Sequence, residues 1–251
     1  MNVATTNDGS LLDRLDDALR WYRTTGHVSP DPTTGTGAIR LLEGEMRRRL
    51  GTAACFAVAS CTSALLVAMQ AAGVTTGTEI IIPDDQWRAS RLVAELLGAT
   101  PVVVPLRPGR NVVDTQDVLD RLSGRTVAVV VTHYPGQEAP AHDLVGPLTD
   151  RNITLIEDAA AADAEQLLRP NPVGSAGRFG CFSFGPGKAI DAGGGGVIAV
   201  RDDRDIEPVL RLSQHPARQS LCRLPDPSGG LNHRIHPVAA ILALHALTHT
   251  R

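Results

Sequence analysis

At 251 residues, with 43% hydrophobic residues and a net charge of −3, the chain has the length and composition of one sizeable α/β unit or two small ones. The slightly acidic balance and 3% aromatic content supply neither the basic face of a nucleic-acid binder nor stacking platforms for single strands. No apolar run reaches membrane-spanning length, the polar start MNVATTNDGS is no signal peptide, and Cys55, Cys61, Cys181 and Cys222 lack C-x-x-C spacing, so a cytoplasmic protein with reduced thiols is expected.

In chain order, Ser10 can cap a helix over LLDRLDDALRWYR, and AIRLLEGEMRRRLG predicts a second helix that stops at Gly51. Short β-type runs follow: CFAVA, EIIIP, PVVVP, VAVVVT, ITLIE, CFSF and VIAV. Helix-period segments fall between the first five of these, among them TSALLVAMQAAG, RLVAELLGA and DLVGPLTDR. Fully apolar strands separated by amphipathic helices predict an α/β fold, a mostly parallel central sheet with helices on both faces. Ligands collect beyond the carboxyl ends of such strands. RLPDPSGGLNHR reads as a loop, and HPVAAILALHALTHT (236–250) closes the chain, apolar enough that a partner surface is expected to cover it.

FSFGPGKAIDAGGGGVIAV sets Lys188 alone among glycines. A phosphate-binding loop G-x-x-x-x-G-K-[ST] fails here, because Ala189 follows the lysine and Phe182 stands where its first glycine belongs. A dinucleotide fingerprint fails too, since no G-x-G-x-x-G joins an early strand to a helix. The remaining chemistry is covalent: a desolvated lysine that forms a Schiff base. With pyridoxal phosphate as the carbonyl, an acid must pair with the ring nitrogen, a flat side chain should cover the ring, and helix N-terminal amides should hold the phosphate. Asp158 in TLIEDAAAADA, Trp87 after EIIIP, and Ser60, Thr62 and Ser63 at a strand-to-helix turn meet these needs. Plainer readings stand beside them. Asp158 could be a helix cap and Glu157 the acid, Trp87 could be core, and the hydroxyls could be N-cap chemistry. His133 reads better as a satisfied structural histidine than as a pocket residue.

From about Thr25 to the C-terminus these segments resemble, in order, the DegT/DnrJ/EryC/StrS family of pyridoxal phosphate-dependent sugar aminotransferases, which have the type I aminotransferase fold. SCTSAL stands where the family has S-G-T-x-A-L, and VVVTHYPGQ…ITLIEDAA is similar to its V-H-L-Y-G…I-E-D-A-A stretch. GRFGCFSFGPGKAIDAGGGGVIAV fits G-x-F-S-F-x-x-x-K…G-G, while LRLSQHP and GLNHRIHPVAA resemble later elements. The resemblance implies pyridoxal 5'-phosphate as cofactor. It makes Lys188 the Schiff-base lysine and proton shuttle, Asp158 the partner of the ring nitrogen, and Trp87 the stacking side chain. Ser60, Cys61 and Thr62 would serve the phosphate with amides and a hydroxyl, and Ser183 with a further hydroxyl. Asn232 aligns with an asparagine that reaches the neighbouring subunit's phosphate, which implies a homodimer with composite sites. Small-molecule amino donors and acceptors of natural product or amino-sugar biosynthesis are the expected substrates.

The departures are specific. Ala161 replaces a glutamine that bonds the cofactor's phenolic oxygen, Asp163 a common histidine, and Cys61 the glycine of S-G-T. Gly194 stands where an acid is frequent, and Pro216 replaces the glycine after His215. Residues 1–251 are expected to form a single pyridoxal phosphate-binding large domain, with 1–36 as N-terminal helix and leading segment. The usual C-terminal domain is expected to be absent, so either another chain supplies its part of the substrate wall or a smaller dimeric site serves different chemistry. Lyase, decarboxylase or carbon–carbon bond-forming chemistry is the alternative to transamination. A non-catalytic partner subunit would have no need of Lys188 and Asp158 together.

Overall fold

Runs of Ile and Val flanked by turn residues bury on both faces, and those that the sequence marks form one sheet in the computed structural model, which describes residues 10–84 and 87–249. Ser10 and Asp13 close a capping box on α1 (Leu11–Thr24), and α2 (Ala38–Leu50) ends on Gly51 in the left-handed conformation, as its sequence predicts. Then come β1 (Ala54–Val58), α3 (Cys61–Ala71), β2 (Glu79–Pro83), α4 (Ala89–Leu96) and β3 (Thr100–Val104). The middle of the chain holds α5 (Thr115–Leu119), β4 (Thr126–Thr132), α6 (Ala141–Thr149), β5 (Thr154–Asp158) and α7 (Ala164–Leu168). The last third holds β6 (Phe179–Ser183), β7 (Gly196–Val200), α8 (Ile206–Ser213), α9 (Pro216–Leu221) and α10 (Pro237–His249).

Among the described residues the sheet has seven strands in the order β1-β7-β6-β5-β4-β2-β3. All neighbours are parallel except β7, which runs antiparallel to both β1 and β6. A parallel return would need a crossover element between β6 and β7, and residues 184–195 form only a loop. That loop carries Lys188.

Side-chain alternation splits the core between the two faces. On one face α3, α4 and α8 cover Phe56, Ile80, Ile82, Val130, Ile156 and Ile198. On the other, α1, α2 and α10 cover Ala57, Phe182 and Val197, while α6 covers Ile81, Val129 and Val131. The apolar α10 finds its cover within the chain: it packs on α1 and α2, burying Ala240, Ile241, Ala243 and Leu247. The partner surface expected for it is therefore not required by its composition.

Candidate active site

Alternation along β5 settles which acid faces which way. Leu155 packs toward α6 and Ile156 toward α3, so the next two residues repeat that division. Glu157, 1% exposed, turns to the α6 face and is consumed there. Its Oε1 accepts the Ala176 and Gly177 amides at 2.8 and 2.6 Å, and its Oε2 accepts the Gly174 amide at 3.0 Å and lies 2.9 Å from His133 Nε2. Burial works against this carboxylate, but the His133 contact and the Gly177 and Gly174 amides outweigh it and hold its pKa below the ordinary value. His133 Nδ1 accepts the Ala139 amide at 3.2 Å, which leaves the ring proton on Nε2, facing Glu157. His133 is thus a satisfied structural histidine, and Glu157 is not free to act on a ligand.

Asp158, 4% exposed, turns to the α3 face at the carboxyl end of its strand. Its Oδ1 accepts the Ala160 amide at 2.9 Å and a long thiol contact from Cys61 at 3.7 Å. Oδ2 has no hydrogen-bond partner among the described residues. Desolvation raises the Asp158 pKa, opposed by the Ala160 amide, the Cys61 thiol, and the charges of Lys188 and His133. A buried acid that burial disfavours as an anion, with one oxygen unspent, fits a cationic ring nitrogen as its partner. The Cys61 thiol is pushed well up by burial and by Asp158 and stays a neutral donor.

Lys188 is half-buried, and its charge acts on both Asp158 and Cys61. Its Nζ has no hydrogen bond or ion pair among the described residues. The lysine follows Gly187, whose φ of 74° lies in the left-handed region that glycine adopts without strain.

The N-terminus of α3 opens at the same corner. Ser60 caps it, Oγ accepting the Ser63 amide at 3.1 Å and lying 3.1 Å from Ser63 Oγ, so the N-cap reading holds for that pair. Cys61 is buried, and Thr62 is exposed, its hydroxyl without a hydrogen bond among the described residues. Gly196, at the start of β7, approaches this turn closely; a Cβ on it would stand 2.8 Å from the Cys61 nitrogen and collide with the Phe182 carbonyl. Ser183, half-buried at the end of β6, has its Oγ on the Gly185 amide at 3.3 Å. A helix N-terminus with hydroxyls beside it suits a phosphate.

Two expected residues are exposed. Trp87 is 69% exposed, so it is not core; it shares an open cleft with Pro83, Asp84, Arg88 and Arg91, and no contact ties it to Asp158 or Lys188. Asn232 is exposed on the loop 223–234, its Oδ1 accepting Arg234 Nε at 2.6 Å. The neighbouring residues run antiparallel to the end of β1, His233 accepting the Ala59 amide at 2.6 Å, which brings this loop to the α3 corner. Asp163 caps α7 and accepts the Gly136 amide at 2.8 Å, so it is committed to structure. Sequence reasoning missed the Cys61–Asp158 contact and Asp191. The Asp191 carboxylate accepts the Gly187 and Gly193 amides at 3.0 and 2.9 Å, one on each side of Lys188, and only its place among glycines hinted at this.

A family described as the DegT/DnrJ/EryC1/StrS aminotransferase family matches residues 30–251. The L-glutamine:2-deoxy-scyllo-inosose aminotransferase of Streptomyces paromomycinus is 35% identical over 71% of this chain and 41% of its own. The GDP-perosamine synthase of Caulobacter vibrioides is 32% identical over 74% of this chain and 50% of its own. The chain spans about half the length, or less, of the curated relatives it matches. In structure it is similar to 3-amino-5-hydroxybenzoic acid (AHBA) synthase, with a TM-score of 0.74 and 26% identity over 94% of this chain and 61% of that one.

Proposed function

The chain belongs to the DegT/DnrJ/EryC1/StrS aminotransferase family, and from that premise we propose that it is a pyridoxal phosphate-dependent aminotransferase of amino-sugar or aminocyclitol biosynthesis. The observation that carries the reading is the pair at the sheet's carboxyl edge: buried Asp158 with Oδ2 unspent, and Lys188 with an unpartnered amine acting on it. Bound between them, pyridoxal phosphate supplies an electron sink conjugated to the substrate's amine-bearing carbon. Asp158 keeps the ring nitrogen protonated. Lys188 Nζ is the group that would hold the cofactor, and once freed by the donor's amine it would act as the base and acid that moves the donor's α-proton. The α3 N-terminus, with Thr62 and Ser183, would hold the phosphate, and Trp87 is the side chain that would cover the ring.

The substrate class follows the relatives, whose names include an inosose aminotransferase and a perosamine synthase. Asn232, exposed beside the α3 corner, serves the phosphate of a second copy, so the working unit is a homodimer in the cytoplasm. One specific observation favours a second reading. Ala161 has no hydrogen-bonding side chain to offer where the family's glutamine would meet the phenolic oxygen, and a less restrained ring would suit lyase, decarboxylase or bond-forming chemistry. A visible spectrum decides the first step. The purified protein with pyridoxal phosphate should show a bound band, and borohydride should fix the cofactor on Lys188 by mass spectrometry. A cofactor fixed elsewhere, or none bound, refutes the reading. Adding amino donors then separates the chemistries, since only a transaminase leaves pyridoxamine phosphate behind.

A further inference from the structure

We infer that Arg14 and Asp191 form a clamp that positions Lys188, which makes α1, lying ahead of the family-matched residues 30–251, a working part of the cofactor-attachment apparatus. The inference rests on the proposed role of Lys188. The lysine amine has no hydrogen bond or ion pair among the described residues, so the backbone of residues 184–195 largely sets where the side chain starts from. That backbone is rich in glycine and would roam widely if nothing held it.

Asp191 holds it from inside. One carboxylate oxygen accepts the Gly187 amide at 3.0 Å and the other the Gly193 amide at 2.9 Å, so a single side chain ties both flanks of Lys188. Two bonds at the loop's base add to this, Phe184 N–H to the Gly195 carbonyl at 3.0 Å and Ala192 N–H to the Phe184 carbonyl at 2.9 Å. Asp191 in turn is held from outside. Arg14 Nη1 donates to its backbone carbonyl at 2.7 Å, and Nη2 lies 3.3 Å from Oδ2. The side chains of the pair are 19% and 15% exposed, so water and salt screen it less than a surface ion pair. Leu11, on the same helix, closes over Gly193.

The partners are 177 residues apart in sequence, and α1 reaches them because it packs on α10 and its apolar face joins the core beside Ile190 and Ala192. Arg14 acts through Asp191 and the loop rather than on the cofactor. It is a positioning residue.

The test compares wild type, Arg14→Met, Arg14→Lys, Asp191→Asn and the control Arg20→Met, which changes an exposed α1 arginine. Hydrogen exchange of the peptide spanning 185–195 is measured without cofactor, and the rate of pyridoxal phosphate attachment and the pH midpoint of the bound visible band with it. Arg14→Met should speed exchange in that peptide and slow attachment, each about tenfold, by loss of a charge-assisted bond, and should shift the band midpoint. Arg14→Lys should recover part of each change, and Arg20→Met should show none. Equal attachment rates and midpoints in wild type and Arg14→Met overturn the inference. If Arg14→Met does not fold, Asp191→Asn makes the same comparison from the loop side, and equality there overturns it equally. A wild type that attaches no pyridoxal phosphate instead refutes the role of Lys188, while the exchange data still judge the clamp.

Discussion

Replacing Asp158 with Asn removes one charge and almost no volume, and its consequences divide sharply between chemistry and stability. The side chain is 4% exposed, and one of its oxygens is already occupied by the Ala160 amide and the Cys61 thiol. Asn can keep its carbonyl oxygen on those donors and turn its amide toward the position of Oδ2. A protonated ring nitrogen there would lose its counter-charge inside the protein. Removing one partner of a buried pair costs roughly 3–5 kcal/mol. The nitrogen sheds its proton instead, and the sink weakens by a similar amount. At about 1.4 kcal/mol per decade, the loss in rate is roughly two to four decades.

Stability should move the other way. The Asp158 pKa is raised, chiefly by desolvation, so the folded protein without cofactor binds this proton more tightly than the unfolded chain does. Stability is then lost as pH rises from the ordinary aspartate value of 3.8 through the raised one. Above that window Asp158→Asn without cofactor should melt no lower than wild type, and the two curves should converge below pH 3.8. The assay is a single-turnover reaction with an amino donor, followed at the bound visible band, with cofactor content checked by mass spectrometry. A half-reaction at wild-type rate with cofactor bound refutes the assignment. Neither alternative acid is free to explain such a result, because Glu157 is spent on three amides and His133, and Asp163 on its cap and the Gly136 amide.

Glu157→Gln should lower stability by about 3–5 kcal/mol through its contacts with His133 and three amides, read as a fall in Tm. Because the Glu157 pKa is depressed, its contribution is present above the ordinary glutamate value of 4.5 and lost as pH falls below it, so the deficit should narrow in acid; a deficit independent of pH would exclude the charge as its source. Gly196→Ala should abolish cofactor binding while leaving a folded chain, since a Cβ there drives the β7 start into the Ser60–Cys61 turn; tight binding by the variant would show that this turn does not hold the phosphate. Asn232→Ala should weaken cofactor retention by roughly 1.5–3 kcal/mol, and mixing it with Lys188→Ala chains should restore some activity. No recovery, with subunit exchange shown independently, places Asn232 in its own chain's site or in none.

What the sequence made legible follows from the range of the interactions that produce it. Every strand run it marked is a strand, because burial, complete on both faces in most of them and partial in the edge strand β3, writes an apolar run that needs no distant partner to be recognised. The same double burial erases direction, and nothing in VIAV says that β7 runs against its neighbours; the helix-free stretch from 184 to 195 is the one local sign of it. α7 and α9 span five and six residues, too few for a helical period to show. In the site, adjacency in sequence made Glu157 and Asp158 exchangeable candidates, while adjacency in a strand makes them opposites. Once Leu155 and Ile156 are assigned to their faces, the choice between the two acids follows without any reference to a relative. The Arg14–Asp191 pair had no such route, since its members share neither an element nor a period. Local patterning therefore locates the candidate groups, whereas the contacts that hold the lysine loop are set by how α1 and that loop close on each other, a property of the packed chain alone.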